Sequence, residues 1–542
     1  MSEEIAILGG GVAGLTAAHE LIERGFEVSV YERKEIFGGK ARSMPVPNTE
    51  TPGRDPLPGE HGFRFFPSFY RHLFDTLERI PFGDNPRGVF DNLTPTTRML
   101  IAREDAGDVT LPSEFPDNIE EWDSVFRVWL GGEVDIPTDE MTFFLEKMLT
   151  FLCSCQQRRD EQYDNISWWD YIEADGKSDA YVNFLARGLT RSLVAMRAEE
   201  SSTRTIAAIY LQMIFGLASP WLDVDSVLDG PTNDVWITPW VDYLRQRGVH
   251  FHPNTVVDKI ECEDDRIIGV KVTEGGQSRE IHAERYIAAL PVEVMTGLLT
   301  DEILEADPSL EGMTDLDTAW MNGIQYYLDH DVPLSHGHGL FVDSPWALTS
   351  ISQHQFWEDV DLSTYGNGDV DGILSICISD WETPGDLHTK PAQDCTPEEV
   401  KEEVWHQLKK ALNDDAVKEL DDANVIDWHL DPSITYPNPS QATNLEPLLI
   451  NTVGSLKNRP PAVTALRNFY LASDYVRTNT DLATMESANE AARRAVNGIL
   501  EAANFLGHRC EIYELKEPEV FEPVKRLDKL RYKLGLSAPG LS

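Results

Sequence analysis

A short glycine-rich stretch in the first forty residues restricts the fold of this 542-residue chain more than any other feature. Residues 5–8 are apolar and typical of a short buried strand, a helix is predicted over 15–24, and a second strand is predicted over 27–31. Between the first strand and the helix lie three glycines in the spacing G-x-G-x-x-G, namely Gly9, Gly11 and Gly14. This order predicts a β-α-β unit that binds a dinucleotide.

Each residue at this turn has a physical task. Gly9 permits a tight turn, Gly11 lets the backbone approach a pyrophosphate, and Gly14 lets the helix pack closely on the strand. The N-terminus of the following helix offers free N–H groups to phosphate oxygens, and Val12 and Ala13 before it are further candidate contacts. The segment therefore predicts a phosphate-binding turn.

The residues after the second strand extend this predicted site. Glu32 lies eighteen positions after Gly14, where a carboxylate can accept a hydrogen bond from a ribose hydroxyl. A second glycine pair with cations offers another close backbone approach and more phosphate partners. These residues are Arg33, Gly38, Gly39, Lys40, Ala41 and Arg42. The alternative interpretation is an ordinary turn between a strand and a loop.

These motifs resemble those of the FAD-dependent amine oxidase and phytoene desaturase superfamily. The resemblance is carried by residues 4–42 and 468–500, and further by 59–73 and 230–291. It is nearest the carotene desaturases of plant and cyanobacterial type, to which hydroxysqualene dehydroxylases are related. The resemblance implies that the bound dinucleotide is FAD.

The resemblance also implies roles for the closing segment. A strand is expected at 469–472, and Asp474 after it would meet the ribityl chain or the pyrophosphate. Thr484, Met485 and Glu486 would place a helix N-terminus at the flavin pyrimidine, which favours negative charge there. Ser473 and Ser487 stand where the family usually has glycine.

Further flavin contacts are implied in the middle of the chain. Val257 matches a position whose backbone meets the adenine, and Ala289 belongs to a strand-end Ala-x-Pro segment. An aromatic stretch at 59–70 would pass the flavin ring. Its candidate contacts are Gly62, Phe63 and Arg64, with His61 and Arg64 as flavin-facing candidates for catalysis. The alternative is that Arg64 pairs with an acid and that His61 is a satisfied turn residue.

The expected fold class is α/β, with a Rossmann-like doubly wound FAD-binding domain and an inserted mixed sheet-plus-helix substrate domain. The first domain would comprise 1–93, 225–300 and 425–505, and the second 94–224 and 301–424. A tail would follow over 506–542. Helices are expected at 140–157 and 180–215. The Phe- and Met-rich face of the first favours core packing over a lipophilic lid.

Composition limits the partners. The chain has 46 basic and 92 acidic residues, which argues against nucleic acid, because phosphate binding needs a basic surface. No signal peptide, membrane-spanning stretch or Cys-x-x-Cys pair is visible, so a cytoplasmic protein is expected. Peripheral membrane contact stays an alternative, since the basic tail segment 525–533 could touch lipid or a partner. No metal is assigned to the histidines at 336 and 338, and the oligomeric state is left open.

The resemblance implies an FAD-dependent oxidoreductase that desaturates or otherwise oxidises a lipophilic, isoprenoid- or carotenoid-like substrate by hydride transfer to flavin N5. A quinone or oxygen would accept the electrons. One alternative is an FAD-dependent amine oxidase, although many of these place a lysine beside N5 and residues 318–328 contain none. Another is a lipid isomerase that uses flavin without net redox chemistry.

Overall fold

The computed structural model describes residues 3–62, 65–104, 107–113, 135–217, 223–413, 418–438 and 441–539. The strands within these ranges are β1 Glu4–Leu8, β2 Glu27–Tyr31, β3 Ser43–Pro45, β4 Pro58–Glu60, β5 Phe66–Pro67, β6 Leu93–Pro95, β7 Arg98–Ala102, β8 Val109–Pro112, β9 Asp225–Leu228, β10 His250–His252, β11 Thr255–Glu263, β12 Arg266–Glu274, β13 Gln277–Ile281, β14 Arg285–Ala288, β15 Thr318–Ala319, β16 Asn322–Leu328, β17 Gly339–Phe341, β18 Thr349–Ser352, β19 Gly372–Ile378, β20 Val425–Leu430, β21 Ile434–Asn438, β22 Gln441–Asn444, β23 Leu448–Leu449 and β24 Phe469–Leu471.

The α-helices within the same ranges are α1 Val12–Ile22, α2 His72–Glu78, α3 Thr138–Leu152, α4 Gln156–Glu161, α5 Trp168–Tyr171, α6 Asp179–Tyr181, α7 Leu189–Val194, α8 Thr203–Leu217, α9 Thr238–Gln246, α10 Val292–Met295, α11 Asp301–Ala306, α12 Pro397–Leu412, α13 Met485–Ala502 and α14 Glu522–Lys533. Short 3₁₀ and π turns join several of them. None of the helices described is both long and apolar enough to span a bilayer.

A five-stranded parallel sheet forms the dinucleotide-binding domain. Its strand order is β10-β2-β1-β14-β24, and every neighbouring pair is parallel. β1, α1 and β2 form the predicted β-α-β unit, and α1 is followed by Gly25 with a φ of +83°. The apolar residues of these strands are buried because helices cover the sheet. The Rossmann-like α/β prediction is confirmed.

A seven-stranded mixed sheet forms the second layer of the molecule. Its order is β20-β16-β19-β18-β17-β7-β8, and α12 packs on it, with the rings of Tyr326 and Trp405 4.7 Å apart. The predicted start of α12 is confirmed, because Thr396 and Glu399 form a capping box there. β20 pairs with β16, so the predicted domain boundary at residue 425 is wrong.

The helical region between residues 138 and 217 differs in part from the prediction. The predicted core face of α3 is confirmed, since Met141, Phe144 and Met148 are buried. The continuous helix expected over 180–215 is wrong. α7 ends at Val194, the next residue Ala195 has a φ of +51°, and α8 begins only at Thr203. This left-handed residue turns the chain so that α8 can pack against α3.

The chain after α13 is anchored to the first domain before it reaches α14. Asn497 bonds the backbone of Cys510 in both directions, at 2.9 and 2.8 Å. The Tyr513 N–H donates to His72 Nε2 at 2.8 Å. The tail therefore follows the surface of the dinucleotide-binding domain.

Candidate active site

A cavity of about 440 Å³ lies where the carboxyl ends of β1, β2 and β14 face the seven-stranded sheet. Ligands in open α/β sheets bind at this edge, where the strand order changes direction. The glycine turns and β11 line one part of the cavity, and apolar side chains of α7 and α8 line another. The cavity thus joins a polar end to an apolar end.

At the polar end the glycine turns form a narrow cradle, in which a Cβ atom added at Gly9 or Gly39 would come too close to neighbouring backbone atoms. Gly9 has a φ of +106°, and a Cβ there would lie 2.4 Å from the carbonyl oxygen of Ala289. Gly39 has a φ of +61°, and a Cβ there would lie 3.0 Å from the Cα of Gly11. No side chain caps α1 at Gly11, which leaves its first N–H groups for a phosphate group.

Gly14 acts in packing and does not line the cavity. A Cβ at this position would lie 2.0 Å from the carbonyl oxygen of Gly9, so only glycine lets α1 approach β1 this closely. This is the role that the sequence predicted for it.

Glu32 is held at the cavity wall by two backbone hydrogen bonds. Its Oε2 accepts from the Gly10 N–H at 2.8 Å and its Oε1 from the Lys34 N–H at 2.9 Å. A carboxylate has about four acceptor sites, so this one can still accept from a ribose hydroxyl. Arg33 and Val257 line the same end of the cavity.

Arg42 does not reach the cavity, contrary to its prediction as a phosphate partner. Its buried guanidinium donates to the Gly39 carbonyl at 2.7 Å and lies 2.7 Å from Glu446 Oε2. Burial alone would raise the pKa of Glu446, but Arg42 and His61, with two further cations, lower that pKa to about 2. Arg42 therefore supports the second glycine turn from behind, because its long side chain extends toward Glu446.

The side chain of Glu486 also lies away from the cavity, whereas Thr484 and Met485 line the cavity at the predicted helix start. The Glu486 carboxylate accepts from the backbone N–H groups of Arg71, His72 and Leu73 at 2.8 to 2.9 Å. It also contacts His72 Nδ1 at 2.7 Å. Glu486 thus caps the start of α2, because it projects from the side of α13 that packs on α2.

His61 lies in the cavity wall but within a buried ionic network. Its Nδ1 contacts the carboxylate of Asp431, which in turn lies near Arg42. Burial raises the pKa of Asp431, but His61 and Arg42 outweigh it and lower that pKa well below its usual range. Both interpretations of His61, as a flavin-facing residue and as a satisfied turn residue, therefore stay predictions. Gly62 lines the cavity.

The remaining predicted residues are distributed as follows. The predicted cofactor and candidate residues in the cavity wall are Gly9, Gly11, Val12, Ala13, Glu32, Arg33, Gly38, Gly39, Lys40, Ala41, His61, Gly62, Val257, Ala289, Asp474, Thr484 and Met485. Phe63 and Arg64 lie outside the described residues. The contacts of these residues with a cofactor stay predictions.

The apolar end of the cavity was not identified from the sequence. Helices α7 and α8 provide Val194, Ile209 and Met213. Further apolar lining comes from Phe65, Phe69, Leu193, Met196, Met321, Leu448 and Leu449. Because these residues come from five separate segments, no local pattern marks them as one surface.

A histidine–aspartate pair lies in this otherwise apolar wall. His338 lines the cavity and is 3% exposed, and its Nδ1 lies 2.8 Å from Asp225 Oδ2. The ring of Phe65 packs edge-on against His338, with centroids 5.4 Å apart. A Cβ at Gly337 would lie 1.9 Å from the Arg98 carbonyl oxygen. Glycine at that position therefore lets the histidine loop approach β7.

The sequence contains a partial signal for this pair. Two histidines stand on either side of Gly337, and no metal is assigned to them from the sequence. His336 contacts Thr97 Oγ1 at 3.1 Å and packs on Phe356. Asp225 carries no local motif, and the pairing of β9 with β5 and β6 brings it to the site.

A protein-family model and individual relatives agree on the family to which this chain is similar. The model of the family described as flavin containing amine oxidoreductase matches residues 12–500. A probable zeta-carotene desaturase of Synechococcus elongatus is 23% identical over 529 residues, covering 92% of this chain and 98% of that protein. The 15-cis-phytoene desaturase of Glycine max is 21% identical, covering 93% of this chain and 80% of that protein.

Solved structures share the fold. Cyclohexylamine oxidase from Brevibacterium oxydans has a TM-score of 0.61 at 15% identity, over 93% of this chain and 100% of that one. An oxidoreductase from Methanosarcina mazei has a TM-score of 0.57 at 15% identity, over 92% of this chain and 100% of that one.

The polar end of the cavity fits FAD. The backbone cradle and the uncapped start of α1 suit a pyrophosphate, and the fixed carboxylate of Glu32 suits a ribose. Apolar side chains of α7 and α8 line the rest of the cavity. The chain belongs to the flavin containing amine oxidoreductase family, and it is an FAD-dependent oxidoreductase similar to the phytoene and carotene desaturases.

Proposed function

We propose that this oxidoreductase acts on a long lipophilic substrate of isoprenoid or carotenoid type, from which it removes hydrogen to form a double bond. The observation that carries the proposal is the apolar end of the cavity. Its lining from α7, α8 and β23 adjoins the cradle predicted to hold the flavin. The similarity to carotene and phytoene desaturases over most of the chain supports the same substrate class.

A hydrocarbon chain has no polar group that could orient it, so its binding must come from burial and shape. Each buried CH₂ contributes about 0.8 kcal/mol, and the side chains of Ile209 and Met213 offer such contacts along α8. Met side chains adapt to irregular shapes. The cavity wall therefore suits an extended apolar chain better than a small charged substrate.

Bound FAD supplies an acceptor for hydride at N5. Formation of the double bond also requires that a proton leave the neighbouring carbon. We propose His338 as the residue that accepts it, because this histidine lies in the apolar wall with Nδ1 at 2.8 Å from Asp225. The Asp225 carboxylate beside Nδ1 favours a proton on that nitrogen, and the neutral imidazole would then accept through Nε2.

An amine oxidase is the competing candidate, and its support is the fold that this chain shares with cyclohexylamine oxidase. The stretch predicted to hold the flavin lysine of such enzymes contains Met321, which lines the cavity. Among the described lining residues, the lysines are Lys34 and Lys40. Lys34 lies 3.1 Å from Glu446 and Lys40 lies 3.2 Å from Glu293, so both belong to the polar end.

The test is reduction of the bound flavin without oxygen. The holoprotein is mixed with linear polyenes, in detergent micelles and separately in liposomes, and with primary and secondary amines. Flavin absorbance near 450 nm reports reduction, and chromatography of the polyene reports new double bonds. We expect bleaching and a desaturated product with a polyene. Adding a quinone or oxygen afterwards identifies the electron acceptor.

Three results would count against the proposal. Bleaching by an amine alone would move the chain to the amine oxidases. A geometric isomer of the polyene, formed without bleaching, would indicate a lipid isomerase. No reaction with any polyene, while FAD is stoichiometrically bound, would exclude this substrate class.

A further inference from the structure

We propose that the outer face of α14 is a docking surface for an anionic lipid membrane. This surface consists of two parallel rows of exposed side chains. One row is Leu527, Leu530 and Leu534, of which Leu534 directly follows the last residue of α14, and the other is Arg526, Lys529 and Lys533. The helix lies beyond residue 500, where the family match ends, so the family similarity does not account for it.

The spacing of the two rows defines an amphipathic interfacial helix. Both rows follow the interval i, i+3, i+7, which keeps their members on one side of a helix. The leucines are 55%, 61% and 74% exposed in chain order. A helix with adjoining apolar and cationic rows lies in the interface of a bilayer, with the leucines buried and the cations at the headgroups.

The charge of α14 is opposite to that of the chain as a whole. The helix contains five basic and two acidic residues, whereas the whole chain has a net charge of −46. Among the described residues, Arg526, Lys529 and Lys533 have no ion-pair partner. Charges further away than about 8 Å are largely screened at physiological salt. The local cations therefore decide whether this face attracts an anionic surface.

The opposite face of α14 is fixed to the protein, which orients the two rows outward. Asp528 is fully buried and binds Arg158 of α4, with Oδ1 at 2.8 Å from Nη2 and Oδ2 at 3.0 Å from Nε. Asp528 also accepts from the Cys155 N–H at 2.9 Å. Because Leu530 is two residues further along the helix, it points about 200° away from Asp528.

The docking surface is connected to the apolar end of the cavity. The Lys516 carbonyl, six residues before α14, accepts from Gln212 Nε2 of α8 at 2.9 Å. Ile209 and Met213 of the same helix line the cavity. The segment that leads into α14 therefore contacts a helix that lines the cavity. The lipid contact stands on its own observations, but its use in substrate delivery rests on the proposed function.

Vesicle cosedimentation of the FAD-loaded protein tests the lipid contact. The vesicles contain either phosphatidylcholine alone or phosphatidylcholine with 30 mol% phosphatidylglycerol, at 0.1 and 0.5 M NaCl. We expect binding to the anionic vesicles that weakens at the higher salt concentration. K529E/K533E should lower the affinity at least tenfold. L527S/L530S should lower binding at both salt concentrations.

A matched control makes the same two lysine-to-glutamate changes at positions outside α14. K418E/K457E alters two exposed lysines far from α14 in the sequence and should bind vesicles like the wild type. All variants should keep the wild-type flavin content, because the changed side chains are exposed. Equal binding by K529E/K533E and the wild type would overturn the proposal. So would no binding of the wild type at 0.1 M NaCl.

Two further measurements distinguish membrane docking from self-association and from the proposed chemistry. If sedimentation equilibrium without lipid shows a wild-type dimer that K529E/K533E abolishes, α14 is a contact between copies of the chain and the lipid proposal is wrong. Flavin bleaching by a polyene in detergent micelles does not need a membrane. If the wild type binds vesicles but no polyene bleaches it, the docking surface stands and the proposed function fails.

Discussion

At the scale of single residues, His338 offers the sharpest test of the proposed chemistry. His338→Gln should lower the rate of flavin reduction by about 10²- to 10⁴-fold, the range for loss of a general base. Asp225→Asn should have a smaller effect, because it leaves the imidazole in place and removes only the carboxylate beside Nδ1. Stopped-flow absorbance under nitrogen measures both rates, and a pH profile shows whether the titrating base is lost.

The control for this experiment lies two residues away. His336 contacts Thr97 and Phe356 and does not line the cavity, so His336→Gln should react at nearly the wild-type rate. All three variants should retain FAD and a melting temperature near that of the wild type. A His338→Gln protein that reduces its flavin normally would remove this histidine from the mechanism.

A second prediction concerns Gly11 in the cradle. Gly11→Val should abolish FAD binding, because the branched side chain would occupy space beside Gly39 in the cavity wall. The backbone itself tolerates valine, since Gly11 has a φ of −79° and a ψ of −172°. Gly11→Ala adds only a Cβ at 3.5 Å from Gly39 and should weaken binding less. Flavin content per protein after purification is the measurement.

If Gly11→Val bound FAD like the wild type, the assignment of this turn to the pyrophosphate would be wrong. A variant that lost FAD and also failed to fold as apoprotein would not be informative, so the far-UV circular dichroism of both apoproteins is compared first. Gly11→Ala then provides the graded response that a steric effect requires.

Residues whose role depends on the backbone conformation were predictable from the sequence. Residues whose role depends on where a long side chain extends were not. Gly9 and Gly14 follow from the close approach that the β-α-β unit needs. Arg42 and Glu486 have long side chains, and each extends away from the cavity to a partner distant in sequence. Asp225 has no local signal at all, because a strand pairing places it beside His338.

At the scale of elements, Glu486 links α13 to α2. Glu486→Gln should lower the free energy of unfolding by roughly 2 kcal/mol, because hydrogen bonds to a charged group contribute about 1.5–3 kcal/mol. The amide would also place N–H donors beside the N–H groups of His72 and Leu73. Urea unfolding of the apoprotein, followed by circular dichroism, measures the change without the contribution of bound FAD.

The matched control is Glu501→Gln near the other end of α13, where the carboxylate is exposed and pairs with Arg509. Exposed pairs contribute about 0 to 1 kcal/mol, so this variant should unfold close to the wild type. Equal effects of the two substitutions would contradict the assignment of Glu486 as the cap of α2.

Elements with a clear period or cap were predictable, including β2, α12 and the hairpin of β12 and β13. The break between α7 and α8 was not, since residues 195–202 contain neither glycine nor proline. Ala195 adopts a left-handed conformation there because tertiary packing outweighs its helix propensity. The assignment of β20 likewise depended on its distant partner β16.

At the scale of the whole molecule, buried carboxylates tie stability to pH. Cations lower the pKa of Glu446 and of Glu20 from 4.5 to about 2, against the effect of burial, which raises both. Between pH 4.5 and about 2, the folded state therefore binds fewer protons than the unfolded state. Their stabilising contribution is fully present above pH 4.5 and is lost as the pH falls toward 2.

Glu446→Gln tests how much of this dependence comes from the ionic cluster that joins the two domains through Glu446, Arg42, His61 and Asp431. The substitution leaves the buried Arg42 without its closest carboxylate, at 2.7 Å, and should cost about 3–5 kcal/mol at pH 7. The cost should shrink as the pH is lowered from 4.5 toward 2, because the wild-type carboxylate is then protonated too. Urea unfolding of both apoproteins across this range measures it. A difference that stays constant with pH would show that Glu446 acts through packing and not through its charge.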